Sequence, residues 1–290
     1  MAKNPVFIVG SPRSGTSALV KALTSVGYHG YNEGNFLPLM KIIERAVDNH
    51  FVHFGSPNPH RLAAQIDCAQ LKDRIERIFK ELADHAHPYP LWFDKSGHAE
   101  MIPAIPILRR LWPESVYVFC KRRAIENVAS RLKKFPAQDF ERHCSGWAKI
   151  MAAWRTVRNE LPREVYLEVD QQDLIRDTES VSAKIAALLQ LAPEQARVLA
   201  KTFKSRRPQE TAKGSAAQTH SLDGLGWSEA QLATFRRCCG PEMEAYGYGS
   251  GSEYYVKRQV SGPSAIATSP ENLGADERGQ ESLASTSAIT

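Results

Sequence analysis

One stretch near the N-terminus restricts the fold more than any other. Val6–Gly10 is a short apolar run that ends in glycine, and Ser11-Pro12-Arg13-Ser14-Gly15-Thr16-Ser17 follows it directly. The run reads as a buried parallel strand. Beyond the loop, Leu19, Val20, Leu23 and Val26 recur at helical spacing, and Gly27 and Gly30 close the unit. A strand, a glycine-bearing loop and a helix in that order open an α/β domain. The same order brings successive backbone N–H groups and the positive end of a helix to one place, which makes an anion cradle.

The rest of the chain keeps the alternation. Leu91–Asp94, Val116–Cys120 and Val165–Val169 read as further strands. Apolar spacing predicts helices over Phe36–Val47, Arg61–Ala86, His98–Leu111, Ile125–Leu132, Phe140–Leu161, Gln172–Leu191, Pro193–Phe203 and Glu229–Met243. The expected fold class is α/β, a three-layer α/β/α arrangement with a central parallel sheet of about four to five strands. With 290 residues, 42% of them hydrophobic, one large domain can bury its own core. Residues 1–248 are expected to form that domain. From Gly249 the chain is rich in Ser, Gly, Ala and Thr without either period, so 249–290 is expected to be a disordered tail.

Several function classes are disfavoured. No apolar run approaches the roughly 20 residues of a membrane span. The N-terminal apolar stretch is too short for a signal peptide and lacks a small-residue cleavage site, so a cytoplasmic location is expected. Cys68, Cys120, Cys144, Cys238 and Cys239 form no CxxC pair, and the histidines form no HExxH, so no metal site is indicated. The net charge is a mild +5, with basic clusters at Arg109–Arg110, Lys121–Arg123, Arg131–Lys134 and Lys204–Arg207. Such clusters suit an anionic ligand. The interleaved aromatics of a single-strand binder are missing, so nucleic acid is not the expected partner.

Gly10 and Gly15 stand at the spacing of the pattern GxxxxGK[ST], but Thr16 replaces the lysine. In a P-loop NTPase that lysine neutralises the β- and γ-phosphates beside Mg²⁺. Here the cation is Arg13, inside the loop. No strand reads as ending in a Walker-B-like acid, since Val116–Cys120 runs into Lys121-Arg122-Arg123. Arginines without a metal-binding carboxylate suit a ligand handled without Mg²⁺, and a sulfuryl group, less charged than a phosphoryl group, fits. A P-loop kinase or NTPase and a non-catalytic nucleotide-binding protein stand as the alternatives.

FIVGSPRSGTSAL resembles the 5′-phosphosulfate loop of the sulfotransferases that use 3′-phosphoadenosine-5′-phosphosulfate (PAPS), particularly the carbohydrate-modifying and bacterial members. SVYVFCKRRAIENVAS, Ser115 to Ser130, is similar to that family's 3′-phosphate segment, with Arg122 and Ser130 at the required separation. It departs from the family at Arg123-Ala124-Ile125, where D-P-R is usual. Trp92–His98 resembles W-x-E-K-[ST]-P, and Tyr166–Asp170 with Asp173-Leu174 resembles the later strand and its Y-E-D-L. Gly226-Trp227-Ser228 and Tyr246-Gly247-Tyr248 look similar too, so the resemblance covers roughly residues 5 to 248.

The resemblance implies a P-loop-like sulfotransferase fold and transfer of a sulfuryl group from PAPS to a hydroxyl of a carbohydrate, glycolipid or small-metabolite acceptor, without a metal. It implies that Ser11, Pro12, Arg13, Ser14, Gly15, Thr16 and Ser17 surround the 5′-phosphosulfate. Arg122 and Ser130 would hold the 3′-phosphate, with Arg206 and Arg207 adding charge. Arg13 and Lys95 would stabilise the departing phosphate. Two residues are candidates for the general base. Glu33 resembles the acid of heparan- and tyrosine-modifying members; His98 resembles the histidine of the cytosolic branch, one residue out of step. Acceptor recognition is expected from Phe36–Tyr89 and from His220–Trp227.

Overall fold

Val6–Gly10 (β1) is buried at every position, as an apolar run inside a parallel sheet must be. The computed structural model describes residues 4–55, 58, 60–205 and 219–256. Beside β1 lie Trp92–Ser96 (β3) and Val116–Lys121 (β4), with His29–Tyr31 (β2) and Tyr166–Asp170 (β5) at the edges. The order is β2-β3-β1-β4-β5, and every pairing is parallel.

Alternation along the strands divides the core between two faces. Val6 and Ile8 pack with Leu19 and Leu23 of α1 (Thr16–Ser25), Ile185 of α8 (Thr178–Leu188) and Leu199 of α9 (Pro193–Ser205). Phe7 and Val9 face the other way, towards α4 (Ile105–Leu111), α5 (Ala124–Lys134), α6 (Phe140–Val157) and α10 (Glu229–Ala245). There the Phe7 ring stacks on Tyr117 at 5.5 Å and meets the edge of Trp92 at 5.9 Å. Trp92 and Phe93 are both fully buried in these cores, on opposite faces. The remaining helices are α2 (Pro38–Phe54), α3 (Cys68–Ala86) and the short α7 (Gln171–Arg176).

The architecture is the expected three-layer α/β fold; several local details differ, among them the helix predicted over His98–Leu111, which begins only at Ile105 after a single turn at Ala99–Met101. The helix predicted over Arg61–Ala86 is broken, because Asp67 turns outward and its carboxylate caps α3, accepting from the amides of Ala69 (2.8 Å) and Gln70 (3.2 Å). Asp177 likewise splits the helix predicted over Gln172–Leu191, capping α8 through the Ser180 amide at 3.1 Å. The edge strand β2 has only three residues, all exposed, and carries no buried pattern to read. The tail does not begin at Gly249. The folded unit runs to Val256, Tyr254 is 3% exposed, and Tyr248 pairs with Tyr255 in an antiparallel bridge. Residues 257–290 lie outside the described residues.

β1 ends at a point where only glycine fits. Gly10 has φ 147°, and a Cβ there would overlap the carbonyl oxygen of Cys120 on β4. Gly10→Ala is expected to cost about 2–6 kcal/mol from backbone strain and overpacking together. Urea denaturation would show this as a lower midpoint with an unchanged slope.

Candidate active site

The chain leaves β1 towards one face of the sheet, through α1, and leaves β4 towards the other, through α5. The strands are adjacent, so their loops diverge and open a crevice at the carboxyl ends, the place where open α/β sheets bind ligands. Gly10–Ser17 forms one wall and Lys121–Arg131 the other.

The first wall is shaped for an anion. Arg13 (φ 73°) and Gly15 (φ 93°) are left-handed at alternate positions, which turns successive N–H groups inward. No side chain caps α1, and no acid lies in its first turn. Its leading amides and its positive end therefore face the crevice. Thr16 is buried there, and Ser17 is exposed.

The second wall meets the first through a small network. Asn127 Nδ2 donates to the Pro12 carbonyl (2.9 Å) and to Ser14 Oγ (3.0 Å), and Ser11 Oγ donates to Asn127 Oδ1 at 3.4 Å. Arg13 Nε donates to Ser130 Oγ at 3.0 Å, and Arg122 Nη1 to the Arg13 carbonyl at 3.3 Å. Arg131 Nη1 donates to Ser11 Oγ at 3.3 Å, while its Nε is buried without a partner. Asn127, Ser130 and Arg131 stand at i, i+3 and i+4, one face of α5. The sequence reading missed Asn127 and Arg131. That helical spacing from Ser130 is the signal that would have found them.

Three guanidinium groups thus converge on one loop. Among the described residues no carboxylate pairs with Arg13, Arg122 or Arg131. Burial lowers the pKa of Arg122, and the Arg13 charge pulls the same way, against the weaker opposing pull of Glu126 and Asp170. Burial also lowers that of Arg131. Partly or fully buried cations that form no ion pair, set around an uncapped helix, favour an anion. Arg206 and Arg207 lie outside the described residues.

Lys95, Glu33 and His98 sit at the end of β3. Lys95 Nζ forms an ion pair with Glu33; the lysine side chain is 7% exposed and the glutamate 58%. The Gly34 amide donates to the Lys95 carbonyl at 3.0 Å, tying the segment after β2 to β3. His98 Nδ1 accepts from the Glu100 amide at 3.2 Å, capping the turn Ala99–Met101. The lone pair of that nitrogen is therefore occupied.

Asp94, next to Lys95, was not singled out from sequence. It is 3% exposed, its Oδ1 has no partner, and the Cα of Gly34 packs on its carboxylate. Burial, with the Glu33 charge adding to it, pushes its pKa from 3.8 to about 7. Below about pH 4 the carboxyl is neutral in both states; between there and about pH 7 only the unfolded chain ionises it. Stability is lost as pH rises through that window. Asp94→Asn is expected to flatten that slope, gaining about 2–4 kcal/mol on the wild type between pH 5 and pH 8. Thermal melts across that range would read it.

β5 runs one residue past the expected end at Val169 and finishes in an acid, Asp170. Both its oxygens are engaged: Oδ1 by Tyr254 Oη (2.8 Å) and the Gln172 amide (2.8 Å), Oδ2 by Tyr248 Oη (2.6 Å). It anchors the C-terminal segment and caps α7, so it differs from a Walker-B acid in what surrounds it.

Comparison with known proteins agrees with this fold. The sulfotransferase domain of the Synechococcus PCC 7002 olefin synthase superposes with a TM-score of 0.54 at 18% identity, covering 86% of this chain and 96% of that one. Sulfotransferase STF9 from Mycobacterium avium gives 0.50 at 12% identity, covering 85% and 76%. These likenesses establish the fold. No curated protein matches the chain. The model of the sulfotransferase family matches residues 5–195, which takes in the strand, the loop and both walls of the crevice. The chain belongs to the sulfotransferase family.

Proposed function

We propose that the protein transfers the sulfuryl group of PAPS to an acceptor hydroxyl, leaving a sulfate ester and 3′-phosphoadenosine-5′-phosphate (PAP). The observation that carries the reading is the convergence of Arg13, Arg122 and Arg131, none with a carboxylate partner among the described residues, on the uncapped start of α1. That donor set fits a ligand with phosphates at two positions and needs no metal to balance its charge.

In this reading the loop amides of Ser14–Ser17, with Arg13, hold the 5′-phosphosulfate, and Arg122 with Ser130 holds the 3′-phosphate. Bound PAPS supplies an activated sulfuryl group. Lys95 places a buried positive charge where the departing oxygen becomes negative. Glu33 takes the proton from the acceptor hydroxyl. In the resting structure these two side chains neutralise each other, so acceptor entry has to separate them. His98 is the weaker candidate because its Nδ1 lone pair caps a turn.

The acceptor is a hydroxyl on a carbohydrate, a glycolipid or a small metabolite. Exposed Tyr31, Phe36 and Leu39 flank Glu33 in the chain, which supports an acceptor with an apolar body beside its hydroxyl.

Calorimetric titration with PAP, beside ATP with Mg²⁺, tests the reading. Micromolar PAP binding without metal, and weak ATP binding, is the expected result. Tight Mg·ATP binding with no response to PAP would return the chain to the P-loop kinases.

A further inference from the structure

Arg123 stands where the family pattern has aspartate, yet it is fully buried. Its charge is met by Glu126, through Nε at 2.8 Å and through Nη2. The rest of its fork is taken by carbonyl oxygens from the end of the fold. Nη1 donates to Gly249 (3.0 Å), Gly251 (2.9 Å) and Glu253 (2.8 Å), and Nη2 to His220 (2.7 Å). The Arg123 amide donates to Tyr254 Oη at 2.8 Å, and the same hydroxyl donates to Asp170.

Gly249–Val256 therefore forms a strap across the junction of β4 and α5. Internal bonds close it: the Gly249 amide to the Tyr254 carbonyl at 2.9 Å, and the Val256 amide to the Gly247 carbonyl at 2.9 Å. It lies beyond the part of the chain that the family model matches, residues 5–195. Arg122 is the residue immediately before the one it grips. From the other side the Arg122 carbonyl accepts from Trp147 Nε1 at 2.9 Å.

We infer that the strap, acting through Arg123, is a positioning element that fixes Arg122 for the 3′-phosphate of the nucleotide. This rests on the PAPS reading above. A long cation reaches a phosphate with useful strength only when its root is held, since a free arginine loses rotamer entropy on binding. Trp147 and the strap clamp that root from two sides.

Two hydroxyl deletions in the full chain separate positioning from stability. Tyr248 and Tyr254 each donate to Asp170, but only Tyr254 also accepts from Arg123. Affinities for PAP and for AMP, which lacks the 3′-phosphate, would be measured for wild type, Tyr254→Phe and Tyr248→Phe. Tyr254→Phe is expected to lose about threefold to tenfold of the preference for PAP over AMP, as loss of one hydrogen bond allows. AMP affinity should stay as in the wild type, and Tyr248→Phe should keep the preference. Equal losses in the two variants, or none in Tyr254→Phe, would overturn the strap's role while leaving the nucleotide site in place. A wild type that binds PAP no better than AMP would remove the 3′-phosphate site itself, and this inference with it.

Discussion

Glu33→Gln is expected to lower kcat by about 10²- to 10⁴-fold while PAP affinity stays within about twofold of the wild type. Glutamine keeps the shape and the hydrogen-bonding reach of the side chain but cannot take a proton. Glu33 is more than half exposed and lies outside the arginine crevice, so nucleotide binding has no reason to change. Its partner makes the case sharper. Lys95 is buried and in the resting structure has Glu33 as its counter-charge. If the two act as one unit, Lys95→Met will also lower kcat, and the double variant will be little worse than the poorer single one. Steady-state kinetics with a sulfated product readout, beside PAP calorimetry, would check both halves. A Glu33→Gln variant with wild-type kcat would move the base elsewhere, and His98→Asn would be the next measurement.

Much of this was legible because it is local. The strand, loop and helix of Val6–Ser25 are contiguous, and their apolar spacing and glycines state the element types directly. Arg122 and Ser130 lie on one short strand-to-helix segment, so their separation in sequence is their separation along a helix. What stayed hidden depends on long-range register. Helical spacing from Ser130 places Asn127 and Arg131 on its face of α5, but that this face meets the loop follows from the pairing of Gly10 with Cys120, which neither segment encodes alone. The anchoring role of Asp170 had no local signal, because its phenol partners are 78 and 84 residues away. The low-complexity look of Gly249–Val256 hid a packed strap for the same reason: its glycines supply carbonyl oxygens to Arg123, and a backbone acceptor has no sequence signature.

Arg122→Ala is expected to weaken PAP binding by about 10²- to 10³-fold, the loss that follows when one partner of a buried, charge-assisted pair is truncated. Arg122→Lys should recover only part of it, because an ammonium restores the charge but not the planar fork. AMP affinity should change far less than PAP affinity in both variants, which assigns the loss to the 3′-phosphate. The same substitution should not weaken the free protein. Burial lowers the Arg122 pKa, and with the Arg13 charge it outweighs the opposing pull of Glu126 and Asp170, so in the absence of an anion this guanidinium is a net electrostatic cost. Against that stand one hydrogen bond to the Arg13 carbonyl at 3.3 Å and the lost packing of the stem. Thermal melts are therefore expected to place Arg122→Ala at or above the wild type without ligand, and below it once PAP is added, because mass action stabilises only the form that binds. A crossing of the two melting temperatures on adding PAP is the signature of a residue kept for binding at the expense of the fold. Parallel losses with and without PAP would instead make Arg122 a structural residue, and would leave Arg13 and Arg131 to hold the nucleotide alone.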